Sequence, residues 1–248
     1  YIKLRKDLIN MIYALGDLHG HYKIYEKVKA MLKPEDIVYF LGDAGDRGPE
    51  SWKCIKAIYD DPQFIYIKGN HEDMLVKACE DYLEDGGMWD YHSYSLCRMN
   101  GGEETMMAWE RDPDRELWLK RLKELPTWDS KEIHGKYYTF CHAGFTPWFR
   151  EGTMECFVPT DRMLIWDREH YFDEWVDGEM DDDIIVVHGH TPIHHLSEDL
   201  WVDWESGAFW YCDGHKVCID SGGFFSDEFI LLNLDTLEDT VITLDKST

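Results

Sequence analysis

Three short apolar runs in the first third of the chain each end at a glycine that is followed by a polar residue. The runs span residues 12–15, 37–41 and 64–67, and their length and flanking turns predict buried strands. Helical spacing follows each run, at residues 22–32, from Pro49 past Tyr59, and from Glu72 to about Leu83. Three strand–turn–helix units in a row predict an α/β fold with adjacent strands.

The second half of the chain is richer in strand patterns. Apolar runs at residues 137–141 and 184–187, and shorter ones near 208–220, 228–234 and 239–243, predict further strands. Residues 114–125 have the spacing of an amphipathic helix, whereas the glycine-rich, aromatic stretch 85–105 predicts a loop or cap. We expect one domain over residues 1–248, with residues 1–10 as a candidate N-terminal extension and residues 85–111 as a cap or insertion.

Polar side chains that can bind a metal ion stand at the ends of the first three strands. Asp17, Asp43 and Asn70 each follow a glycine directly after a predicted strand. Because functional groups gather at the carboxyl ends of strands in α/β sheets, we expect these side chains at one edge of the sheet. Two later motifs, His142-Ala143-Gly144 and His188-Gly189-His190, add imidazoles.

The donor types in these motifs suit a pair of divalent ions. Carboxylate, amide oxygen and imidazole together favour Mn, Fe or Zn over Ca or Mg. Two ions about 3.5–4 Å apart clamp the attacking and leaving oxygens of a displacement at phosphorus. The candidate ligands are Asp17, His19, Asp43, Asn70, His142 and His190.

Each motif also has an ordinary structural explanation. A Gly-Asp pair after a strand is commonly a turn, a lone histidine is commonly hydrogen-bonded in a core, and Asp46-Arg47 can be a salt bridge. We expect such a hydrogen-bonded, structural role for His188, which stands two residues before His190. Five motifs in this order, three of them after successive strands, favour the metal-centre interpretation.

The charge balance narrows the range of partners. Fifty acidic residues stand against 25 basic ones, which gives a formal net charge of −25. Because nucleic-acid binding and binding to anionic membranes depend on Lys and Arg, we expect neither partner. A small phosphoester or a phosphoprotein remains a suitable substrate if metal ions supply local positive charge.

The seven cysteines are odd in number and form no CxxC pair, which predicts reduced thiols and a cytoplasmic protein. No apolar stretch is long enough to span a membrane. The acidic run at residues 173–183 is typical of a solvated loop, with a site for cations or a basic substrate as the alternative.

The motifs together resemble the phosphoprotein phosphatase branch of the calcineurin-like metallophosphoesterases. The resemblance is carried by Gly16-Asp17-Leu18-His19-Gly20, Gly42-Asp43-Ala44-Gly45-Asp46-Arg47-Gly48, Gly69-Asn70-His71-Glu72, His142-Ala143-Gly144 and Gly189-His190-Thr191. It extends from about Met11 past Asp220, includes Ile165-Trp166-Asp167-Arg168, and is closest to the compact bacterial and bacteriophage lambda-type serine/threonine protein phosphatases. It implies a central β-sandwich flanked by helices (α/β, or α+β in some schemes) with two divalent metal ions at one edge, Mn first and Fe or Zn as alternatives.

Carried to this chain residue by residue, the resemblance implies a role for each motif. Asp17 and His19 would bind one ion, Asp43 both ions, and Asn70, His142 and His190 the second ion. A hydroxide bridging the two metal ions would be the nucleophile. His71 would be the general acid, oriented by Asp46. Arg47 and Arg168 would grip the phosphoryl oxygens.

Three functions remain open at this point. A serine/threonine protein phosphatase is the leading hypothesis, and a dinucleoside polyphosphate hydrolase of the diadenosine tetraphosphatase type is the alternative. The alternative needs adenine platforms and extra basic residues; the candidates are Trp89, Tyr91, Tyr94, Trp109, Arg98 and Arg111, whose aromatic members also suit a core or cap. The third hypothesis is a metal-stabilised binding domain without turnover.

Overall fold

The protein is described by a computed structural model over residues 10–146, 159–173 and 183–244. The first sheet contains β1 (Ile12–Leu15), β2 (Ile37–Phe40), β3 (Phe64–Tyr66), β9 (Glu228–Asn233) and β10 (Asp239–Thr243). The second sheet contains β4 (Trp128–Ile133), β5 (Lys136–Cys141), β6 (Ile184–His188), β7 (Phe209–Tyr211) and β8 (Lys216–Cys218).

Helices connect these strands. They are α1 (Tyr22–Met31), α2 (Ser51–Asp60), α3 (Asn70–Glu84), α4 (Tyr91–Met99), α5 (Glu103–Arg111), α6 (Arg115–Lys123), α7 (Asp161–Trp166), α8 (Ile193–Asp199) and α9 (Gly223–Ser226). Short 3-10 turns lie at His170–Phe172 and Cys212–Gly214. None of the helices within the described ranges is long and apolar enough to cross a bilayer.

Both sheets are mixed, and each has a parallel centre. The order of the first is β10-β9-β1-β2-β3, in which β1, β2 and β3 are parallel; the order of the second is β4-β5-β6-β8-β7, in which β5, β6 and β8 are parallel. Because neighbouring parallel strands end at the same edge, the turns after β1, β2 and β3 meet, as do those after β5, β6 and β8.

Strand alternation separates two apolar cores. On β2, Val38 and Phe40 face the core beneath α1–α6, whereas Tyr39 and the following Leu41 face the second sheet. The Tyr39 ring stacks on Phe140 of β5, with ring centroids 3.7 Å apart and planes 7° apart. The sheets therefore pack face to face, and the predicted α/β fold with a β-sandwich flanked by helices is confirmed.

The strand predictions from the apolar runs are confirmed, but the interpretation of residues 85–105 as a loop was wrong. Two helices, α4 and α5, occupy most of that stretch. Its glycine pairs mark only the ends of α4, and the Asp90 side chain caps this helix by accepting hydrogen bonds from the amides of His92 and Ser93. Cys97, Met106 and Trp109 pack into the helical core.

Two smaller elements were also missed. The edge strand β4 contains Asp129, Lys131 and Glu132, and only Ile133 at its end is buried, so both faces lack the apolar alternation that predicts a strand. The pair His194-His195 lies on α8, a helix that no pattern in the sequence analysis predicted.

Residues 1–9 of the candidate extension, Cys156 and residues 174–182 of the acidic run lie outside the described residues. The single domain over residues 1–248 therefore stays a prediction.

Replacing Phe140 by Ala removes one half of the stack between the two sheets. We expect the free energy of unfolding to fall by about 3–5 kcal/mol, because the substitution removes buried apolar surface and leaves a cavity between the two sheets. Chemical denaturation of Phe140→Ala measures this change. The control is Tyr137→Ala on the same strand, where the ring is half exposed and a change of roughly 0.5 kcal/mol is expected. Equal losses in the two variants would contradict the assigned position of the core.

Candidate metal centre

The turns at one edge of the sandwich bring the six predicted ligands together. Asp17 follows β1, Asp43 follows β2, Asn70 opens α3 after β3, His142 follows β5 and His190 follows β6. With His19 these residues are all buried, at 6% exposure or less. We call Asp17, His19, Asp43, Asn70, His142 and His190 the ligand cluster.

Three donor atoms of the cluster converge on one point. The Asn70 Oδ1 atom lies 2.8 Å from His142 Nε2 and 2.9 Å from His190 Nδ1, and the two nitrogens are 3.1 Å apart. Ligands that bind one ion at about 2.1 Å lie roughly 3 Å from one another. The triangle therefore has the spacing of a coordination shell.

Proton counting in this triangle also favours a cation. His142 Nδ1 donates to the Leu41 carbonyl at 2.7 Å, so its Nε2 has a lone pair directed at the Asn70 oxygen, another acceptor. Only His190 Nδ1 can offer a proton, and its Nε2 is buried without a partner among the described residues. Acceptors held this close without a donor are costly unless a positive ion lies between them.

Asp43 links this triangle to a second group of donors. Its Oδ1 lies 3.5 Å from His142 Nε2, and its Oδ2 lies 3.8 Å from both His19 Nε2 and His71 Nε2. Donor atoms of Asp17, Asp43 and His142 lie within 4.8 Å of one another, as do those of His19, Asp43 and His71. One shared carboxylate between two donor groups fits a centre of two ions.

His71 is the member of these groups for which the sequence predicted a different role. Its Nδ1 lies 2.7 Å from Asp46 Oδ2, which makes this nitrogen the donor and turns Nε2 toward the cluster. Its backbone amide donates to Asp43 Oδ1 at 3.0 Å. His71 is therefore held by two carboxylates at the margin of the cluster.

Both predicted arginines border the cluster. The Arg47 guanidinium lies beside two imidazoles, with Nη1 2.8 Å from His19 Nε2 and Nη2 3.0 Å from His71 Nε2, and its centre lies 4.3 Å from the centroid of the Phe224 ring. Arg168 is exposed and donates from Nη1 to the Thr191 hydroxyl at 3.5 Å, beside His190. Two guanidinium groups thus flank a compact region of donor atoms.

Three neighbouring carboxyl groups are destabilised in their charged form. Burial raises the pKa of Asp43 to about 7 and the pKa of Asp220 to about 6. The pKa of Asp17 is raised well above its ordinary value by burial and by the charges of Asp220 and Asp43. A cation bound among these groups would relieve the repulsion.

The imidazoles of the cluster are shifted in the direction that suits metal binding. Burial lowers the pKa of His142 to about 3 and lowers the pKa values of His19 and His190 well below the ordinary range. All three rings are therefore neutral near pH 7 and have a lone pair available for a cation.

Backbone strain concentrates at the same edge. Positive φ angles occur at His19, Asp43, Asp46, Arg47 and His190. Such conformations cost about 1–3 kcal/mol each and persist only where the surrounding structure enforces them. The clustering marks this edge as functional independently of its chemistry.

The turns after β2 and β3 touch through their glycines. Gly42 has φ of +98°, and a Cβ atom there would lie 2.5 Å from the Gly69 amide nitrogen. A Cβ atom at Gly69 would lie 2.1 Å from Asp43 Oδ1. Only glycine allows Asp43 and Asn70 to approach as they do.

Sequence reasoning missed the residue that joins these two turns. The Glu72 carboxylate accepts hydrogen bonds from the amides of Asp43, Ala44 and Gly69 and from the Tyr66 hydroxyl, at 2.8–3.0 Å. The available signal was a glutamate three residues after the helix N-cap, which is typical of a capping box. Asp220 belonged to the segment Ile219-Asp220-Ser221-Gly222 of the resemblance but received no role, and Phe224, which contacts His19 and Arg47, carried no signal.

Several other candidates lie elsewhere. His188 bonds to the Tyr211 hydroxyl at 2.7 Å and to the Gly189 carbonyl at 3.1 Å, so it has the structural contacts expected of it. Trp109 is fully buried, and Trp89 packs against it.

Three comparisons relate this geometry to known proteins. The family model described as calcineurin-like phosphoesterase matches residues 11–218. Serine/threonine-protein phosphatase 2 of Salmonella typhimurium is 31% identical over 150 residues, covering 58% of this chain and 63% of the relative. The symmetrical bis(5'-nucleosyl)-tetraphosphatase of Legionella pneumophila is 30% identical over 167 residues, covering 64% of this chain and 54% of the relative. The chain thus spans less than two thirds of either relative's length.

Among solved structures, a protein serine/threonine phosphatase from Saccharomyces cerevisiae superposes with a TM-score of 0.54. The match covers 96% of this chain and 81% of that chain at 15% sequence identity. At this identity the likeness concerns the fold alone.

The raised carboxyl pKa values predict that cation binding is coupled to proton release. Below pH 7 Asp43 is protonated in the metal-free protein, so protons compete with the cation, and the affinity for Mn²⁺ rises with pH. For one carboxyl group with a pKa near 7, the gain between pH 6 and pH 8 is roughly tenfold. Titration calorimetry in buffers of different ionisation enthalpy measures affinity and released protons together. A pH-independent affinity without proton release would contradict the assignment of Asp43.

Proposed function

The chain belongs to the calcineurin-like phosphoesterase family, and we propose that it hydrolyses phosphate monoesters, with phosphoserine and phosphothreonine in proteins as the substrate class. The supporting observation is Asp43, whose carboxylate lies between two groups of donor atoms. Around it stand an oriented histidine and two arginines, the groups that a phosphoryl transfer to water requires.

Family membership implies divalent metal ions, and the proposed ligands are those that the resemblance implies, although the donor groups in the structure pair Asp17 with His142 and His19 with His71. The proposed ligands are Asp17 and His19 for one ion, Asp43 for both, and Asn70, His142 and His190 for the other. When bound, the ions supply the positive charge that activates a water molecule and offsets the charge of the phosphoryl group. We propose Mn as the cation, with Fe or Zn as alternatives, because the donors mix carboxylate, amide and imidazole.

His71 is proposed as the general acid that protonates the leaving oxygen. Asp46 accepts the Nδ1 proton and holds the ring so that Nε2 faces the cluster. Burial opposes the charged form, but the Asp43 and Asp46 carboxylates outweigh it and raise the pKa of His71 above its ordinary value. Nε2 can therefore hold a proton near neutral pH and deliver it to an alkoxide.

Arg47 and Arg168 are proposed to bind the phosphoryl oxygens. The Arg47 guanidinium lies within hydrogen-bond distance of His71, so the acid and the phosphate-binding group can reach one phosphoryl group together. A planar guanidinium can donate two parallel hydrogen bonds to such oxygens.

The alternative is a dinucleoside polyphosphate substrate, which is favoured by the similarity to named tetraphosphatases. Three observations weigh against it. Trp109 is buried and cannot stack on an adenine. Arg98 is paired with Glu103 at 3.2 Å, and a net charge of −25 disfavours a long polyanion. We also retain the prediction that the protein is cytoplasmic and binds neither nucleic acid nor membranes.

Phosphate release from a phosphoserine peptide in the presence of Mn²⁺ tests the substrate class. We expect release that stops when EDTA removes the cation, and slower turnover of diadenosine tetraphosphate at equal concentration. The two substrates are compared by their kcat/KM values with one protein preparation. Faster turnover of the dinucleotide would favour the alternative, and no turnover of either ester by protein that holds two ions would favour a binding domain.

Two substitutions separate metal binding from proton transfer. His71→Asn removes the acid, so kcat on an ester with a poor leaving group should fall roughly 10²–10⁴-fold while metal content is unchanged. Asp43→Asn should lower both kcat and metal content, because it removes the negative charge of the ligand proposed to bind both ions. Metal analysis and steady-state rates give the two readouts, and His194→Asn on α8 is the matched control. Full activity of His71→Asn would show that another group is the acid.

A further inference from the structure

Lys216 is a fully buried lysine in the central part of the second sheet. Its Nζ donates to the Thr146 hydroxyl at 2.8 Å and to the His170 carbonyl at 2.6 Å. Among the described residues no carboxylate forms an ion pair with it. An apolar side chain would fill this strand position without the cost of burying an ammonium group, so the hydrogen bonds are the property that distinguishes lysine here.

The two acceptors belong to two loops that approach the ligand cluster. Thr146 follows His142 by four residues in the chain that leaves β5, and His170 follows Arg168 by two residues after α7. The Thr146 hydroxyl also donates to the His170 carbonyl at 3.2 Å. Lys216 therefore closes a three-membered network between the loop that bears a proposed ligand and the loop that bears Arg168.

Hydrogen bonds hold the segment around Arg168 on both sides. Before it, the Leu164 carbonyl accepts from the Ala143 amide at 2.7 Å. Within it, the Asp167 carboxylate accepts from the amides of Glu169 and His170, each at 3.2 Å. After it, the His170 carbonyl is held by Lys216. Within the described ranges the one hydrogen bond of the Arg168 side chain is the long contact to Thr191, so we take the position of this side chain to depend on the backbone hydrogen bonds.

We propose that Lys216 is a positioning residue that holds the Arg168 loop, and with it the Arg168 guanidinium, at the distance from the ligand cluster that phosphoryl binding needs. This inference rests on the role of Arg168 in the proposed function. Lys216 touches no substrate, because it is enclosed by the sheet and the two loops. Its effect is transmitted through Thr146 and the His170 carbonyl.

The test measures the binding of inorganic phosphate to the Mn²⁺-loaded protein by titration calorimetry. The proteins compared are the wild type, Lys216→Met, Arg168→Met and the double variant. We expect Lys216→Met to weaken phosphate binding roughly 10–100-fold, the effect of a displaced binding group, and to raise KM for a phosphopeptide more than it lowers kcat. In the Arg168→Met background the same change should have no further effect.

Each of the other outcomes shows which of the two proposals is wrong, the phosphate-binding role of Arg168 or the positioning role of Lys216. If Arg168→Met leaves phosphate affinity unchanged, the role of Arg168 in the proposed function is wrong and the positioning role falls with it. If Arg168→Met weakens binding but Lys216→Met does not, only the positioning role is wrong. Equal losses from Lys216→Met in both backgrounds would show a general structural effect instead.

A second variant covers the case in which Lys216→Met does not fold. Thr146→Val keeps the shape of the side chain and removes the hydroxyl that joins Lys216 to the His170 carbonyl. We expect a smaller loss of phosphate affinity, again absent in the Arg168→Met background, and a loss that persists there would overturn the inference. Lys131→Met, at an exposed position of β4 in the same sheet, is the matched control and should bind phosphate like the wild type.

Discussion

The site depends on one buried carboxylate that binds no substrate. Glu72 receives the amides of Asp43, Ala44 and Gly69 and the hydroxyl of Tyr66. Three amides that would otherwise be buried without acceptors are thereby satisfied, and the turns after β2 and β3 become one unit. This unit contains the shared ligand Asp43 and the first turn of α3 with Asn70 and His71, so their relative positions are set by hydrogen bonds that are independent of any bound ion.

This arrangement makes the site locally unstable in the metal-free protein. Buried carboxyl groups resist ionisation, imidazoles are held neutral, and five residues of the site have positive φ angles. The buried carboxyl groups are unfavourable in their charged form in the metal-free protein and become favourable when positive charge is bound. The surrounding sandwich, with the Tyr39–Phe140 stack between its sheets, supplies the rigidity that keeps the strained turns in place.

In the proposed function, the phosphoryl group and the leaving group are recognised by different parts of the structure. The phosphoryl group would meet the ligand cluster and the two arginines, which lie on turns fixed by strands or their networks. Phe224, which is partly exposed beside Arg47, and the turn between α4 and α5 border the same region and are the segments that a leaving group would pass. The Gly101 carbonyl in that turn accepts from the Arg47 amide at 3.0 Å. Changes in the turn between α4 and α5 can alter which substrate binds without altering the groups that act on the phosphoryl group.

The sequence by itself determined the strands that end in polar residues and the set of donor types, because apolar periodicity and glycine turns are local properties. It also indicated His71, Asp46, Arg47 and Arg168, because those residues stand inside recognisable motifs. It did not predict α4 and α5, whose terminal glycines resembled those of a loop, or the edge strand β4, which lacks an apolar face. The tertiary structure decided how donor atoms converge, for instance that His190 presents Nδ1 to Asn70. It alone showed the contacts of Glu72 with Asp43 and Ala44 and those of Lys216 with Thr146 and His170, because contacts between such distant segments leave no pattern along the chain.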